Sequence, residues 1–261
     1  MRLKGNTIFI TGGASGIGRG FAEAFHKLGN QVIIAGRRRR RLDAVVAANP
    51  GMAAIELDIT DPASIDGVAR RLIREYPDVN VLINNAGVMQ ADRAAGKIDD
   101  TLLLDTINTN LIGSIRMTSA LIEHLKTKDG AVVAYTGSVL GFVPLALTAV
   151  YSSTKAALHS YALSQRFMLR DSTVRVIEIV PPWVRTELMN SQDAQQAMPI
   201  NQFISEAIQA LGTNADEIVI DAAKPMRDNV GAAEHAFVST FNERWMANFK
   251  ESPTFDEESG G

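Results

Sequence analysis

Short apolar runs alternate with longer stretches of helical periodicity along the whole chain, and this alternation is the first thing the sequence shows. Thr7 to Thr11, Gln31 to Ala35, Met52 to Leu57, Val79 to Ile83, Ala131 to Tyr135 and Val174 to Val180 read as six strands, with a short seventh at Glu217 to Ile220. Val79 to Ile83 is almost wholly apolar, as a central parallel strand buried on both faces should be. Between the strands, apolar residues recur at helical spacing. Ile17, Phe21, Ala24, Phe25 and Leu28 share one face before Gly29 and Asn30 stop the helix. Further helices are expected from about Pro62 to Glu75, from Asp99 to about Leu125 with an interruption at Asn108 to Asn110, from Val150 to Arg170, and from Ala232 to Phe249. Strands that alternate with helices predict an α/β fold, a doubly wound Rossmann-type parallel sheet of about seven strands flanked by helices. One domain over residues 1–250 accounts for the chain. The mixed segment at about 187–211 reads as a substrate lid, with a plain surface helix as the alternative, and the acidic residues 251–261 read as a flexible tail.

Composition narrows the class. The chain has 261 residues, 46% hydrophobic and 21% charged, with a formal net charge of −3, so nothing global attracts nucleic acid or an anionic membrane. There is no cysteine, which excludes disulfides and thiolate chemistry. No run approaches roughly 18 uninterrupted apolar residues, so no membrane span is expected, and a cytoplasmic location is the expectation.

Candidate chemistry sits at the carboxyl ends of the expected strands, where open parallel sheets bind their ligands. After the first strand comes Gly12-Gly13-Ala14-Ser15-Gly16-Ile17-Gly18 at the head of a helix, the context of a phosphate-binding loop. A tight turn with no ligand is the plainer alternative. The second strand ends in Gly36-Arg37, where selection of NAD usually needs a carboxylate; an arginine suits a 2′-phosphate, so NADP (NADPH) is favoured over NAD. Of the five arginines Arg37 to Arg41, one or two would hold the phosphate and the others solvate a helix. The fourth strand runs into Asn84-Asn85-Ala86-Gly87, small and amide residues that permit close approach of a ligand, or a capping turn. Tyr151 and Lys155 lie four apart at the start of a helix, so the ammonium can approach the phenol and lower its pKa.

Together these motifs resemble the short-chain dehydrogenase/reductases in their single-domain form. Thr11 to Gly18 is similar to the family's cofactor loop, Asp58 to its adenine-contacting carboxylate, and Asn84 to Gly87 to its Asn-Asn-Ala-Gly motif. Asn110, Ser138, Tyr151 and Lys155 match its catalytic tetrad. The resemblance implies that Tyr151 is the general acid/base, Lys155 tunes it and binds ribose, Ser138 holds the substrate oxygen, and Asn110 relays protons through water. It also implies that the cofactor touches Gly12, Ser15, Gly16, Ile17, Gly18, Arg37, Asp58, Ile59, Asn85, Ala86, Gly87, Tyr151, Lys155, Pro181, Val184 and Thr186. Pro182 stands where relatives commonly have glycine. No metal is implied, since no histidine and carboxylate cluster shows ligand spacing. The expected enzyme is an NADP-dependent oxidoreductase of the carbonyl reductase or alcohol dehydrogenase type. Phe142, Leu145, Leu147, Trp183, Leu188 and Met189 would face a hydrophobic or aromatic ketone. A non-catalytic NADP(H)-binding sensor is the alternative, and a homodimer or homotetramer is the expected assembly.

Overall fold

Seven parallel strands form a single sheet in the order β3-β2-β1-β4-β5-β6-β7 in the computed structural model, which describes residues 1–229 and 231–250. The tail expected at 251–261 lies outside the described residues. The strands are β1 (Thr7–Thr11), β2 (Gln31–Gly36), β3 (Ala53–Glu56), β4 (Val79–Asn84), β5 (Val132–Thr136), β6 (Arg175–Val180) and β7 (Glu217–Val219). The helices are α1 (Gly16–Lys27), α2 (Arg39–Ala48), α3 (Pro62–Glu75), α4 (Asp100–Ile107), α5 (Gly113–Lys126), α6 (Ala149–Met168), α7 (Ile200–Leu211), α8 (Lys224–Arg227) and α9 (Glu234–Lys250). The strand order reverses between β1 and β4, and a crevice opens at the carboxyl ends of such a pair.

Strand alternation sorts the core into two layers. Ile8, Ile10, Val32 and Ile34 face α1, α2 and α7 and pack with Phe21, Phe25, Leu42 and Phe203. Phe9, Ile33, Leu82 and Tyr135 face the other way, onto Leu72 of α3, Met117 and Leu121 of α5, and Leu158 of α6.

At the amino-terminal edge three buried asparagines lock neighbouring strands. Asn30 Oδ1 accepts from the Asn6 amide at 3.0 Å, and Asn80 Nδ2 donates to Asn6 Oδ1 at 3.0 Å. The β1–β4 register slips between Thr7, which pairs with Val79, and Ile8, which pairs with Val81. Asn80 is the residue skipped, and its Oδ1 takes the Thr7 amide at 3.0 Å, so the bulge leaves that donor satisfied.

The interruption expected at Asn108 to Asn110 is a π-helical turn over Asn108–Ile112 joining α4 to α5. The expected lid at 187–211 divides. Its second half is α7, which buries Phe203, Ile204, Ala207 and Leu211. Phe203 meets Phe21 edge-on at 6.1 Å, and a Cβ at Gly20 would come within 2.7 Å of Ile204. Apolar residues spaced three and four apart make this a core helix, while Leu188–Asp193 forms turns. Among the described residues no helix is long and apolar enough to cross a membrane.

Candidate active site

The glycine loop closes against β4 because Thr11, the last residue of β1, holds both sides. Its hydroxyl accepts from the Asn85 amide at 3.0 Å and the Ala86 amide at 3.1 Å, while Asn85 Nδ2 reaches back to Thr11 O at 3.2 Å and Gly12 O at 3.3 Å. The approach demands glycine. A Cβ on Gly12 would lie 2.9 Å from Ala86 Cα, and one on Gly18 would lie 2.3 Å from Asn85 Nδ2. Gly12 and Gly16 also take φ of +68° and +51°, a backbone region that side chains rarely adopt. Asn84 turns the other way and donates to Thr118 Oγ1 at 2.8 Å, a packing role.

An anion fits at the head of α1. The helix carries no acidic residue in its first turn, and Ser15 at its N-cap makes no capping hydrogen bond with its side chain among the described residues. Instead the Ser15 hydroxyl accepts from Arg38 Nη2 at 2.8 Å. The first turn of α1 thus lacks a side-chain cap and has a guanidinium beside it, an arrangement that suits a phosphate ester. Arg38 is the neighbour of Arg37, the arginine expected to meet the phosphate. Arg37 is exposed, and its charge acts on Asp58, whose carboxyl is held below its ordinary range first by hydrogen bonds from Thr60 and also by Arg37. Asp58 Oδ1 accepts from the Thr60 amide at 2.9 Å and the Thr60 hydroxyl at 2.7 Å. Ile59 is buried, and its carbonyl lies 2.6 Å from where a Gly113 Cβ would stand, so this turn rests on the start of α5.

The four tetrad positions converge around the carboxyl ends of β4 and β5. Asn110 sits in the π-helical turn, 1% exposed, where its side chain acts as a short strand against Val88: Oδ1 accepts from the Val88 amide at 2.8 Å and Nδ2 donates to the Val88 carbonyl at 2.9 Å. Nδ2 also reaches Thr154 Oγ1 on α6 at 3.2 Å, and the Asn110 carbonyl accepts from Ser114 Oγ at 3.2 Å. Gly87 lies against the Asn110 side chain. Ser138 follows β5, its hydroxyl accepts from the Leu140 amide at 3.1 Å, and it acts on the Tyr151 phenol electrostatically. Lys155 Nζ donates to Thr136 O at 2.7 Å and stands 5.5 Å from the centre of the Tyr151 ring. Helix α6 is presented by a loop far away in sequence: Asp92 Oδ2 accepts from the Val150 amide at 2.8 Å, an N-cap role from 58 residues upstream.

Burial decides the electrostatics here, against the sequence expectation. The Tyr151 phenol is pushed up to about 12 by desolvation, with the Ser138 side chain opposing the rise, rather than being drawn down by Lys155. Lys155 itself is pushed down to about 8 by desolvation, with Glu178 opposing the fall. The ammonium is tied to a carbonyl beside the ring rather than to the hydroxyl, so helical spacing alone overstated its hold on the phenol.

The segment after β6 completes the rim. Pro181 is buried and its carbonyl accepts from the Val139 amide at 3.1 Å, which ties it to the Ser138 turn. Val184 is buried and bridges to Met198, and the Thr186 side chain lies 3.6 Å from where a Gly16 Cβ would stand. Trp183 packs on Trp245 of α9 at 4.7 Å between ring centres, and Asn242 fastens α9 to the loop through the Ala146 amide and the Pro144 carbonyl. Phe142, expected on the substrate side, instead packs into the core against His159 at 4.7 Å and Arg227 at 4.6 Å. His159, Glu178 and Glu217 meet within 4.8 Å of one another. They come from α6, β6 and β7, so no sequence spacing could reveal them.

The chain resembles known proteins over this same region. It is 34% identical over 87% of its length, and 93% of the relative's, to the uncharacterized oxidoreductase DltE of Bacillus subtilis. It is 31% identical over 90% of its length, and 98% of the relative's, to an NADP-dependent 3-hydroxy acid dehydrogenase of Schizosaccharomyces pombe. A short chain dehydrogenase from Burkholderia cenocepacia, solved in complex with NADP, superposes with a TM-score of 0.82 at 26% identity, covering 92% of this chain and 98% of that one. The short chain dehydrogenase family model matches residues 6–197, the span that holds the glycine loop, Asn110, Ser138, Tyr151 and Lys155, and the chain is therefore a short-chain dehydrogenase/reductase, an NAD(P)-dependent oxidoreductase.

Proposed function

We propose that this enzyme interconverts a hydrophobic or aromatic ketone with its alcohol, as a cytoplasmic NADP-dependent carbonyl reductase that works as a homodimer or homotetramer. The observation that carries the reading is the convergence of Ser138, Tyr151 and Lys155, each at most 8% exposed at the carboxyl edge of the sheet, with the Lys155 ammonium 5.5 Å from the centre of the Tyr151 ring. The nicotinamide, when bound, supplies or accepts the hydride.

The protein's own groups do the rest. Ser138 offers a hydroxyl to the carbonyl oxygen, where charge grows during reduction. Tyr151, neutral because burial holds its proton on, is poised as the donor in the reducing direction. Lys155 is 4% exposed and supplies the positive charge closest to the phenolate that remains. Asn110 keeps the Val88 backbone and Thr154 in register with that centre and would order the water that returns the proton.

Preference for NADP is supported by Arg38 at Ser15, with Arg37 beside Asp58 and a relative and a solved neighbour that use or hold NADP. Gly12, Gly16, Ile17, Gly18, Asp58, Ile59, Asn85, Ala86, Gly87, Pro181, Val184 and Thr186 would line the cofactor cleft. Preference for an apolar substrate is supported by the aromatic pair Trp183 and Trp245 with Phe241. The test is NADPH consumption with a panel of aryl ketones. Wild-type turnover that falls by a thousandfold or so in Tyr151→Phe is the expected result; equal, negligible rates in both would sink the reading.

A further inference from the structure

Glu178 is a carboxylate in the middle of a sheet. It lies on β6 between β5 and β7, is 1% exposed, and stands opposite Tyr135 in the β5–β6 register. A position buried on both faces of a parallel sheet ordinarily takes an apolar residue, as its neighbours Ile177 and Ile179 do. A buried carboxylate survives only with compensating partners. One oxygen has such a partner: Oε2 is 2.6 Å from His159 Nδ1. The other, Oε1, finds no hydrogen bond among the described residues.

Oε1 points toward the catalytic edge. It lies 2.5 Å from where a Gly137 Cβ would stand, in the turn between Thr136 and Ser138. The Thr136 carbonyl is the group that receives Lys155 Nζ. His159 and Lys155 lie four apart on α6, one turn from each other, so both project toward the same strands. Gly137 has the backbone freedom of any residue here; what its missing side chain provides is room for the carboxylate.

We infer that Glu178, gripped by His159, is a positioning residue that serves as the buried counter-charge of Lys155 and keeps its ammonium protonated inside the fold. The inference deepens the reading above, because it takes the Tyr151 and Lys155 pair as the acting groups. The other charges that face Glu178 are accounted for. Glu217 on β7 is taken at both oxygens by Arg227 of α8, at 2.7 and 3.1 Å, and Arg227 also feels Glu178. Arg166 of α6 lies within the electrostatic reach of Glu217. With Arg227 paired to Glu217, Glu178 is the acid left to balance Lys155. The same pairing argues that His159, Glu178 and Glu217 form a charge network rather than a metal site, since the guanidinium already covers both Glu217 oxygens.

The direct test titrates Lys155 by NMR in protein carrying ¹³C-lysine, with its resonance assigned by its loss in Lys155→Arg. In Glu178→Gln, of nearly the same shape, the Lys155 midpoint should fall by about one pH unit or more, the size expected of one charge removed nearby in a protein interior. Gly137→Ala pushes the carboxylate away without altering it and should move the midpoint in the same direction. His159→Leu should lower it as well, and His159→Asn, which keeps a donor, should restore the wild-type value. An unchanged Lys155 midpoint in folded Glu178→Gln and Gly137→Ala would overturn the inference, even if activity were lost. A lowered midpoint together with no NADPH consumption by the wild-type protein would leave the counter-charge standing and overturn the carbonyl reductase reading instead.

Discussion

Arg38 shows how much one side chain's direction matters. Five consecutive arginines are indistinguishable by type, yet Arg39 pairs with Asp43 along its own helix, Arg41 pairs with Glu187, and Arg38, 3.5 Å from that same carboxylate, also reaches the Ser15 hydroxyl in the glycine loop. Arg38→Ala should raise KM for NADPH about tenfold or more while leaving KM for NADH nearly unchanged, because a hydrogen bond to a charged group contributes roughly 1.5–3 kcal/mol. Equal changes for both cofactors would show that Arg38 does not meet the 2′-phosphate. Lys155 carries a second residue-level consequence. Its folded pKa of about 8 lies below the ordinary 10.5, so between these values the unfolded chain binds more protons and stability rises with pH. Tyr151 acts in the opposite sense, since its folded value of about 12 exceeds 10, and stability falls as pH climbs through that interval. Urea midpoints measured in the cofactor-free protein should therefore climb from about pH 8 towards 10 and decline beyond it. In Lys155→Met the climb should be reduced and the decline kept.

At the scale of elements, bulges and helix irregularities mark the places where geometry overrides pattern. The skipped residue Asn80 is polar beside the apolar run Val81 to Ile83 of β4, and its amide oxygen replaces the ladder partner that Thr7 loses. Asn80→Ala should lower stability by about 1–3 kcal/mol, the cost of a buried donor left unpaired, and chemical denaturation of the variant measures it. A change within a few tenths of wild type would mean that water replaces the side chain. The π-helical turn was legible because Asn108-Thr109-Asn110 interrupts an apolar period, and its position agreed with the structure. The extent of the lid was not. Phe203, Ile204, Ala207 and Leu211 carry a helical signal as strong as that of α1, but polar neighbours obscured it until Phe21 supplied the surface against which they pack.

Across the whole molecule, the site exists because distant segments converge at one edge of the sheet. Asp92 caps α6, Asn242 of α9 fastens the loop before it, and Thr11 clamps Asn85 and Ala86 to the glycine loop. The sheet order places β1 beside β4 and β5 beside β6, so the glycine loop meets Asn85 and Ala86, and Glu178 meets Gly137 beside Ser138, although these residues span most of the chain. Tyr151 and Lys155 are consequently buried, and burial reverses the simplest view of their acidities.

By itself, the sequence determined the alternation of strands and helices and the glycine turn after β1, because periodicity and φ preference are local properties written position by position. Tertiary structure alone decided which arginine meets Ser15, which half of the expected lid is core, and that Glu178 of β6 meets His159 of α6 inside the sheet. Those outcomes depend on desolvation and on contacts between residues far apart in the chain, and both quantities exist only once the strands have found their order.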